Sequence, residues 1–363
     1  MLFGGLGLCR TENGIVFVEG LMPNETAECK QIGKTGGILI FGIEKMLEKS
    51  PERREPFCKY FGVCGGCDWQ FMNYEAQISA KKEIFEDNLR RIGKFYEFPA
   101  PQIFFAEEKN YRIRAKFSVD RKTQKIGFLS KKSHEVIDID ECPLLSDNLN
   151  KFLANKTQIF EQDFIPKEIK IIDNENGEIS VGKYKFEVNN KSFFQANKFL
   201  TGKMANWCKE NVENVENLLD IYGGVGLFSV FCSEKAKNIT LIEIDERMAD
   251  LAQKTFEKNG ISNAKAIGMS AEEFVGADII RSQQNKFSYD CIIIDPPRVG
   301  LDKKVAEIIA KSTKKVIYIS CNPTTQARDA RIFADLGFKI TKTALFDCYP
   351  NTFHIETGIV FEK

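Results

Sequence analysis

The chain has 363 residues, 43% of them hydrophobic, enough for two or three domains with their own cores. Its formal net charge is zero, from 51 basic and 51 acidic side chains, so overall charge neither favours nor excludes a nucleic-acid partner. No apolar run approaches the roughly eighteen residues of a membrane span, and "MLFGGLGLCR" has neither the basic start nor the apolar core of a signal peptide.

In chain order, the first fifty residues read as short strands, "GIVFVEGLMP", "ETAECKQIG" and "GGILIFGIEKML", parted by Gly, Asn and Pro turns, a spacing that predicts a small β-barrel. The charged, proline-bracketed "EKSPERREP" reads as a link, followed by the cysteine-rich "CKYFGVCGGCDWQ". "NYEAQISAKKEIFEDNLRRIG" places apolar residues at helical spacing and stops at Gly93, predicting a helix over 73–93. Residues 103–190 are mostly strand-like. Between Lys109 and Glu135 they carry nine Lys or Arg against two acids, an excess of seven positive charges. From Asn197 onward helix and strand alternate, as in a parallel sheet covered on both faces.

Within that last region an apolar strand ending near Asp220 runs into the turn "YGGVGLF", and a second strand, "NITLIEID", ends at Glu243, twenty residues after Gly223. Glycines let backbone approach a ligand, and an acid after the second strand suits ribose hydroxyls. The turn lacks the last glycine of the dinucleotide fingerprint, which counts against a nicotinamide cofactor. A further strand, "YDCIIIDPPRVG", ends in Asp295-Pro296-Pro297. This arrangement resembles an S-adenosylmethionine-dependent methyltransferase. Methyltransferases acting on exocyclic amines normally place an aromatic residue after Asp-Pro-Pro to stack on the base; here Arg298 follows.

The run Val316–Ile319 reads as a buried strand stopped by Pro323, which leaves Cys321 at the strand tip, where α/β sheets open to their ligands. A thiol there suits one demanding reaction. Carbon 5 of uracil is a poor nucleophile, but a thiolate adding to carbon 6 makes it electron-rich, and a base must later remove the carbon 5 proton. Cys321 is the candidate nucleophile. In "NTFHIETGIVF", His354 and Glu356 precede the last strand with side chains expected on one face, and Glu356 is the candidate base. Taken singly, Cys321 would pass as a small buried hydrophobe and Glu356 as a surface strand residue.

Together with "SFFQAN" (192–197), "CGGC" (64–67), "YRIRAKFSV" (111–119), "DPPRVG" (295–300), "SCNP" (320–323) and "HIETG" (354–358), the chain resembles the RNA uracil-5-methyltransferase family, with the motifs in family order over nearly its whole length. The resemblance implies Cys321 as nucleophile, Glu356 as base, and Gln195, Tyr222, Glu243 and Asp295 as contacts to S-adenosylmethionine. Leu227 departs from the pattern, where many members have Asn, and no contact is carried over there. The implied fold class is α/β, in three parts. A TRAM-like β-barrel over 1–52 lacks the strand that normally opens it, so that the barrel is incomplete or the start is set too late. A mixed, mainly β central RNA-binding domain covers 53–191, its helix 73–93 free to pack on the C-terminal domain. A Rossmann-like class I methyltransferase domain covers 192–363.

Cys58, Cys64 and Cys67 are separated by five and two residues, with Cys142 as a fourth ligand from a distant strand. Four thiolates suit zinc or an iron–sulfur cluster, and spacing leaves both open. The family resemblance implies a 4Fe–4S cluster, acting as a staple rather than in radical chemistry, whose usual motif has a different spacing. Cys9, Cys29, Cys208, Cys232, Cys291 and Cys348 are read as packing residues. For the RNA, Phe193 and Phe194 are candidates to stack on bases, and Arg112, Arg114 and Lys116 to line a phosphate track. The expected partner is RNA, ribosomal before transfer RNA, for a monomer in the cytoplasm, where grouped cysteines more often bind metal than pair. A non-catalytic RNA-binding protein on a methyltransferase scaffold is the alternative from another class.

Overall fold

The structure, a computed structural model, describes residues 1–363 apart from 3, 13, 132, 163 and 283–288. At the N-terminus, β1 (Leu6–Thr11), β2 (Gly14–Glu19), β3 (Thr26–Thr35) and β4 (Ile38–Glu48) form a sheet in the order β1-β2-β4-β3. Gly36 and Gly37, both at positive φ (52° and 82°), make the two-residue turn that joins β3 to β4. Among the described residues β1 pairs with β2 and β3 with β4, and no pairing closes the sheet into the barrel the sequence suggested. Arg53 ties it to the rest of the chain through Glu25 (2.5 Å) and the Gly20 carbonyl (2.6 Å).

Helix α1 (Tyr74–Arg91) starts where the Asn73 side chain accepts the Ala76 amide and ends two residues before Gly93. Strand β5 (Gln102–Phe104) follows. Then β6 (Arg114–Asp120), β7 (Lys125–Leu129), β8 (Val136–Asp138), helix α2 (Asp147–Ala154) and β9 (Glu168–Ile172) form an antiparallel unit with strand order β8-β7-β6-β9. Alternation along β6 turns Ala115, Phe117 and Val119 inward, onto Leu149 and Leu153 of α2.

The hairpin of β10 (Glu178–Val181) and β11 (Tyr184–Glu187) precedes the large body: α3 (Thr201–Asn211), β12 (Val215–Ile221), α4 (Leu227–Cys232), β13 (Ala236–Glu243), α5 (Glu246–Lys258), β14 (Ala264–Gly268), α6 (Ala271–Ser282), β15 (Cys291–Ile294), α7 (Lys303–Ser312), β16 (Lys315–Ser320), α8 (Pro323–Asp335), β17 (Lys339–Phe346) and β18 (Glu356–Glu362). Its eight-stranded sheet has the order β14-β13-β12-β15-β16-β18-β17-β5. Strands β12 to β16 run parallel, and β18 is antiparallel to both neighbours. "CIII" and "VIYI" are buried at every position, as strands covered by helices on both faces must be.

Three elements that precede residue 192 in the chain belong to this body by packing. Val181, Tyr184 and Phe186 of the β10–β11 hairpin share a core with Phe231 and Leu241. Helix α1 lays Ala76, Ala80, Ile84, Phe85 and Leu89 into the core of the opposite face, with Ala330, Phe333 and Phe361, and β5 extends the sheet beside β17. Among the described residues no helix is long and apolar enough to cross a membrane.

Candidate functional site

The order of the sheet reverses between β12 and β15, and in such sheets the crevice beyond the strands' carboxyl ends takes the ligand. The chain brings its motifs to that edge. Tyr222 to Gly226 follow β12, Glu243 ends β13, Asp295 follows β15 and Cys321 follows β16. Because β18 runs antiparallel to β16, its first residue returns to the same edge. The register pairs Ser320 with Thr357, one residue from Cys321 and one from Glu356, and Thr357 Oγ1 donates to the Ser320 carbonyl at 3.1 Å. Cys321, Glu356, Gln195, Tyr222, Glu243 and Asp295 all line one cavity of about 970 Å³, large enough for a nucleoside-sized ligand and a base together.

The glycine turn is fixed by its neighbours. A Cβ on Gly223 would come within 2.4 Å of Leu241, and Gly224 and Gly226 adopt φ of 56° and 91°. Glu243 holds this turn through its carboxylate, which accepts the Gly224 and Asp245 amides, each at 3.0 Å. Tyr222 adopts φ 64°, a strained conformation for a bulky residue, at the cavity wall. Asp220 is fully buried and accepts from Ser229 Oγ and N at the start of α4; burial raises its carboxyl to about 7.

Around the thiol the charges oppose one another. Burial, then Glu356, then Asp295 push the Cys321 thiol up to about 12, while the Arg298 charge pulls the other way. Glu356 is 4% exposed, and burial followed by the Asp295 charge hold its carboxyl well above the usual range. Burial and the Asp220 charge raise Asp295 to about 7. Arg298 is held in turn by its carbonyl, which accepts from Asn322 Nδ2 (2.9 Å) and Thr325 Oγ1 (3.1 Å). In the free protein the thiolate fraction therefore rises throughout the neutral range. Alkylation of Cys321 by iodoacetamide, read by peptide mass spectrometry, is expected to accelerate roughly tenfold per pH unit from pH 7 to 9. A plateau within that window would contradict this charge balance.

The four cysteines proposed as ligands are brought together. Cys58, Cys64, Cys67 and Cys142 line a second cavity of about 30 Å³ with Arg112 and Phe128. Gly65 N donates to the Leu129 carbonyl (2.9 Å), Cys58 N to Gln70 Oε1 (3.1 Å) and Cys142 N to Asn150 Oδ1 (2.9 Å), which tether the backbone around the cavity. Among the described residues no group of three or more His, Cys, Asp or Glu side chains is placed to hold a metal ion. The expected ligand set thus surrounds a cavity without converging on one point.

The residues suggested for RNA contact separate. Phe194 is 2% exposed and packs on Phe186, a core residue. Phe193 is 51% exposed at the cavity wall, with the Arg114 guanidinium 4.8 Å from its ring centre. Lys116 is paired with Glu168 at 2.8 Å, and Arg112 donates to the Arg114 carbonyl, so neither is an unengaged cation. Lys132, part of the basic stretch, lies outside the described residues. Sequence reasoning missed Tyr349, Ile244 and Met269, which also line the cavity. Ile244 carried a signal, an apolar residue directly after the acid of "LIEID", and is 69% exposed; Tyr349 carried none.

With this geometry in hand, comparison with known proteins is specific. The sequence pattern of the tRNA (uracil-5-)-methyltransferase family matches residues 154–363. An uncharacterised RNA methyltransferase of Treponema denticola is 32% identical across 100% of this chain and 97% of its own. The 23S rRNA (uracil(1939)-C(5))-methyltransferase RlmD of Marinomonas sp. is 26% identical, over 98% of this chain and 92% of the relative. The crystal structure of the Pyrococcus abyssi tRNA (uracil-54, C5)-methyltransferase superposes with a TM-score of 0.75 at 20% identity, covering 98% of this chain and 100% of that one. The fold and its crevice are those of a methyltransferase. The chain belongs to the tRNA (uracil-5-)-methyltransferase family and is an RNA uracil-5-methyltransferase.

Proposed function

We propose that the chain transfers a methyl group from S-adenosylmethionine to carbon 5 of a uridine in RNA through a covalent Cys321–uracil adduct. The observation that carries this is the β16–β18 register, which sets a thiol and a buried carboxyl across from each other at the mouth of a nucleoside-sized cavity. Glu243, Tyr222, Gln195 and Asp295 would hold the donor. Glu243 offers an acid beside the glycine turn for ribose hydroxyls, and the donor supplies the methyl group and the positive charge that makes it transferable.

Cys321 loses its proton to solvent, with the Arg298 charge stabilising the thiolate, and its sulfur bonds to carbon 6. The ring electron pair moves toward carbon 5 and the 4-oxo oxygen. Carbon 5 then takes the methyl group and becomes tetrahedral. Glu356 removes the remaining proton from carbon 5, the double bond re-forms, and the carbon–sulfur bond breaks with its pair returning to Cys321. A carboxyl held above its usual range is a stronger base once ionised, which suits removal of a carbon-bound proton.

Glu356→Gln is expected to accumulate a protein–RNA adduct that survives denaturing electrophoresis in the presence of donor, with turnover lowered on the order of 10³-fold. Rapid product release without any adduct would remove Glu356 from this role.

We read Cys58, Cys64, Cys67 and Cys142 as ligands of a 4Fe–4S cluster. The four cysteines line one cavity, and the resemblance to family members that carry such a cluster supports this reading over a zinc ion. Bound there, the group would cross-link the 58–67 turn to the β8–α2 connection, a structural part with no redox step. The division into 1–52, 53–191 and 192–363 is carried as domain boundaries, with α1, β5 and the β10–β11 hairpin attached to the third part. We place the enzyme in the cytoplasm as a monomer. Relatives named for 23S rRNA align over nearly the whole chain, and this favours ribosomal RNA over transfer RNA. Mapping 5-methyluridine in both RNAs, from cells with and without the protein, decides between the two.

A further inference from the structure

His354 is a polar group of the cavity to which the reaction above gives no task. It stands in the turn between β17 and β18, two residues before Glu356, and lines the cavity with Cys321, Glu356 and Asp295. Its ring is held on two sides, by Phe353 with ring centres 4.2 Å apart and by Tyr349 edge-on at 5.9 Å. Its backbone amide donates to Thr352 Oγ1 at 3.2 Å. The imidazole is therefore packed between two aromatic rings.

Its protonation state follows from its partner. Arg298 Nη2 lies 3.3 Å from His354 Nδ1. A guanidinium carries donors only, so Nδ1 must be the acceptor of this contact. Burial, and then the Arg298 charge, push the ring down to about 4, so at neutral pH it is uncharged. A neutral imidazole that accepts at Nδ1 carries its proton on Nε2. The same Arg298 charge acts on the Cys321 thiol, lowering it, and both residues line the cavity with His354.

Addition of Cys321 to carbon 6 needs such a donor. As the sulfur–carbon 6 bond forms, the C5=C6 pair shifts to C4–C5 and the C4=O pair moves onto the oxygen. When carbon 5 takes the methyl group, that pair returns. Nothing is transferred from the donor, which only has to meet the charge where it appears. A neutral N–H also suits the chemistry better than a cation. It holds the oxygen without surrendering its proton, so the electron pair stays available at carbon 5.

We propose that His354 is a catalytic residue, whose Nε2–H hydrogen-bonds the 4-oxo group of the target uracil and stabilises the enolate oxygen formed as Cys321 adds. The assignment rests on the uracil-methylation reading. The test measures the rate of adduct formation with RNA carrying 5-fluorouridine at the target position, with donor, alongside dissociation constants for donor and RNA. His354→Phe keeps a flat ring between Phe353 and Tyr349 but has no N–H. It is expected to slow adduct formation on the order of 10²-fold or more, with both dissociation constants within about threefold of wild type. His354→Gln, which can donate from its amide, is expected to recover about tenfold of that loss. A wild-type rate in His354→Phe overturns the assignment while leaving the Cys321 chemistry intact. Absence of any adduct in the wild-type enzyme overturns both. An independent readout needs no variant to turn over. The chain has two histidines, and the other, His134, is exposed. In 15N-histidine spectra at pH 7, the ring signal missing from His354→Phe should be that of a neutral, Nε2-protonated imidazole. An Nδ1-protonated or doubly protonated ring would overturn the assignment.

Discussion

Replacing Cys321 by alanine is expected to lower methylation on the order of 10⁴-fold or more, while S-adenosylmethionine binding stays within about threefold of wild type. The two effects separate because the sulfur has no substitute among the residues at the end of β16, whereas the proposed donor contacts Tyr222 and Glu243 stand at the ends of β12 and β13. The glycine turn is fixed by Leu241 and by the Glu243 carboxylate. The cut also leaves the fold intact. Cys321 is half-buried at a cavity wall and joins no core cluster, and α8 keeps its cap, Asn322 Oδ1 accepting the Thr324 amide at 3.1 Å. Radiolabelled methyl transfer and calorimetric titration of the donor read the two quantities on one preparation. Retained turnover would show that carbon 5 is activated without sulfur.

Lys81→Met is expected to cost about 3–5 kcal/mol of stability, because it leaves a buried carboxylate with no counter-charge. Lys81, on α1, is fully buried. Its Nζ reaches Asp347 Oδ1 at 2.5 Å and the Tyr349 carbonyl at 2.9 Å, and it lies over Trp69. Burial lowers its ammonium, with Asp347 acting against that shift. The pair joins a helix from early in the chain to the turn that carries Tyr349, His354 and Glu356. Gln77, one helical turn earlier, reinforces it by donating to Asn351 Oδ1 and accepting from Asn351 N at 2.7 Å. The double variant Lys81→Met/Asp347→Leu removes both charges and is expected to recover most of the loss. Denaturant unfolding of the single and double variants measures the difference. A single variant within about 0.5 kcal/mol of wild type would show that the pair is not what holds α1 to the turn.

These long-range ties also mark where reading the sequence stopped. The parallel sheet, the glycine turn and the strand-end positions of Cys321 and Asp295 were legible, because each is a local pattern: a β-branched run, a Gly cluster, a proline stop. Glu356 was legible only beside Cys321, and its face-to-face placement depends on β18 running antiparallel to β16, which no local spacing encodes. Helix α1 was legible as a helix from Asn73 and Gly93. Its part in the methyltransferase body rests on Lys81 and Gln77, whose partners lie 266 and 274 residues away. A lysine on an amphipathic helix looks solvated until its aspartate is placed. Phe193 and Phe194 are adjacent and alike in sequence, and only packing makes one a core residue and the other a cavity wall. The N-terminal strands were mostly visible from their turns. How β1 and β3 pair was not, because closure depends on twist and register over the whole sheet.

The most direct measurement is peptide mass spectrometry of the enzyme after reaction with donor and RNA bearing 5-fluorouridine at the target. Fluorine at carbon 5 cannot leave as a proton does, so the adduct cannot resolve. The account predicts a methylated fluorouridine joined to the peptide containing Cys321. Confirmed RNA binding with no modified peptide, or a linkage at another cysteine, would contradict it.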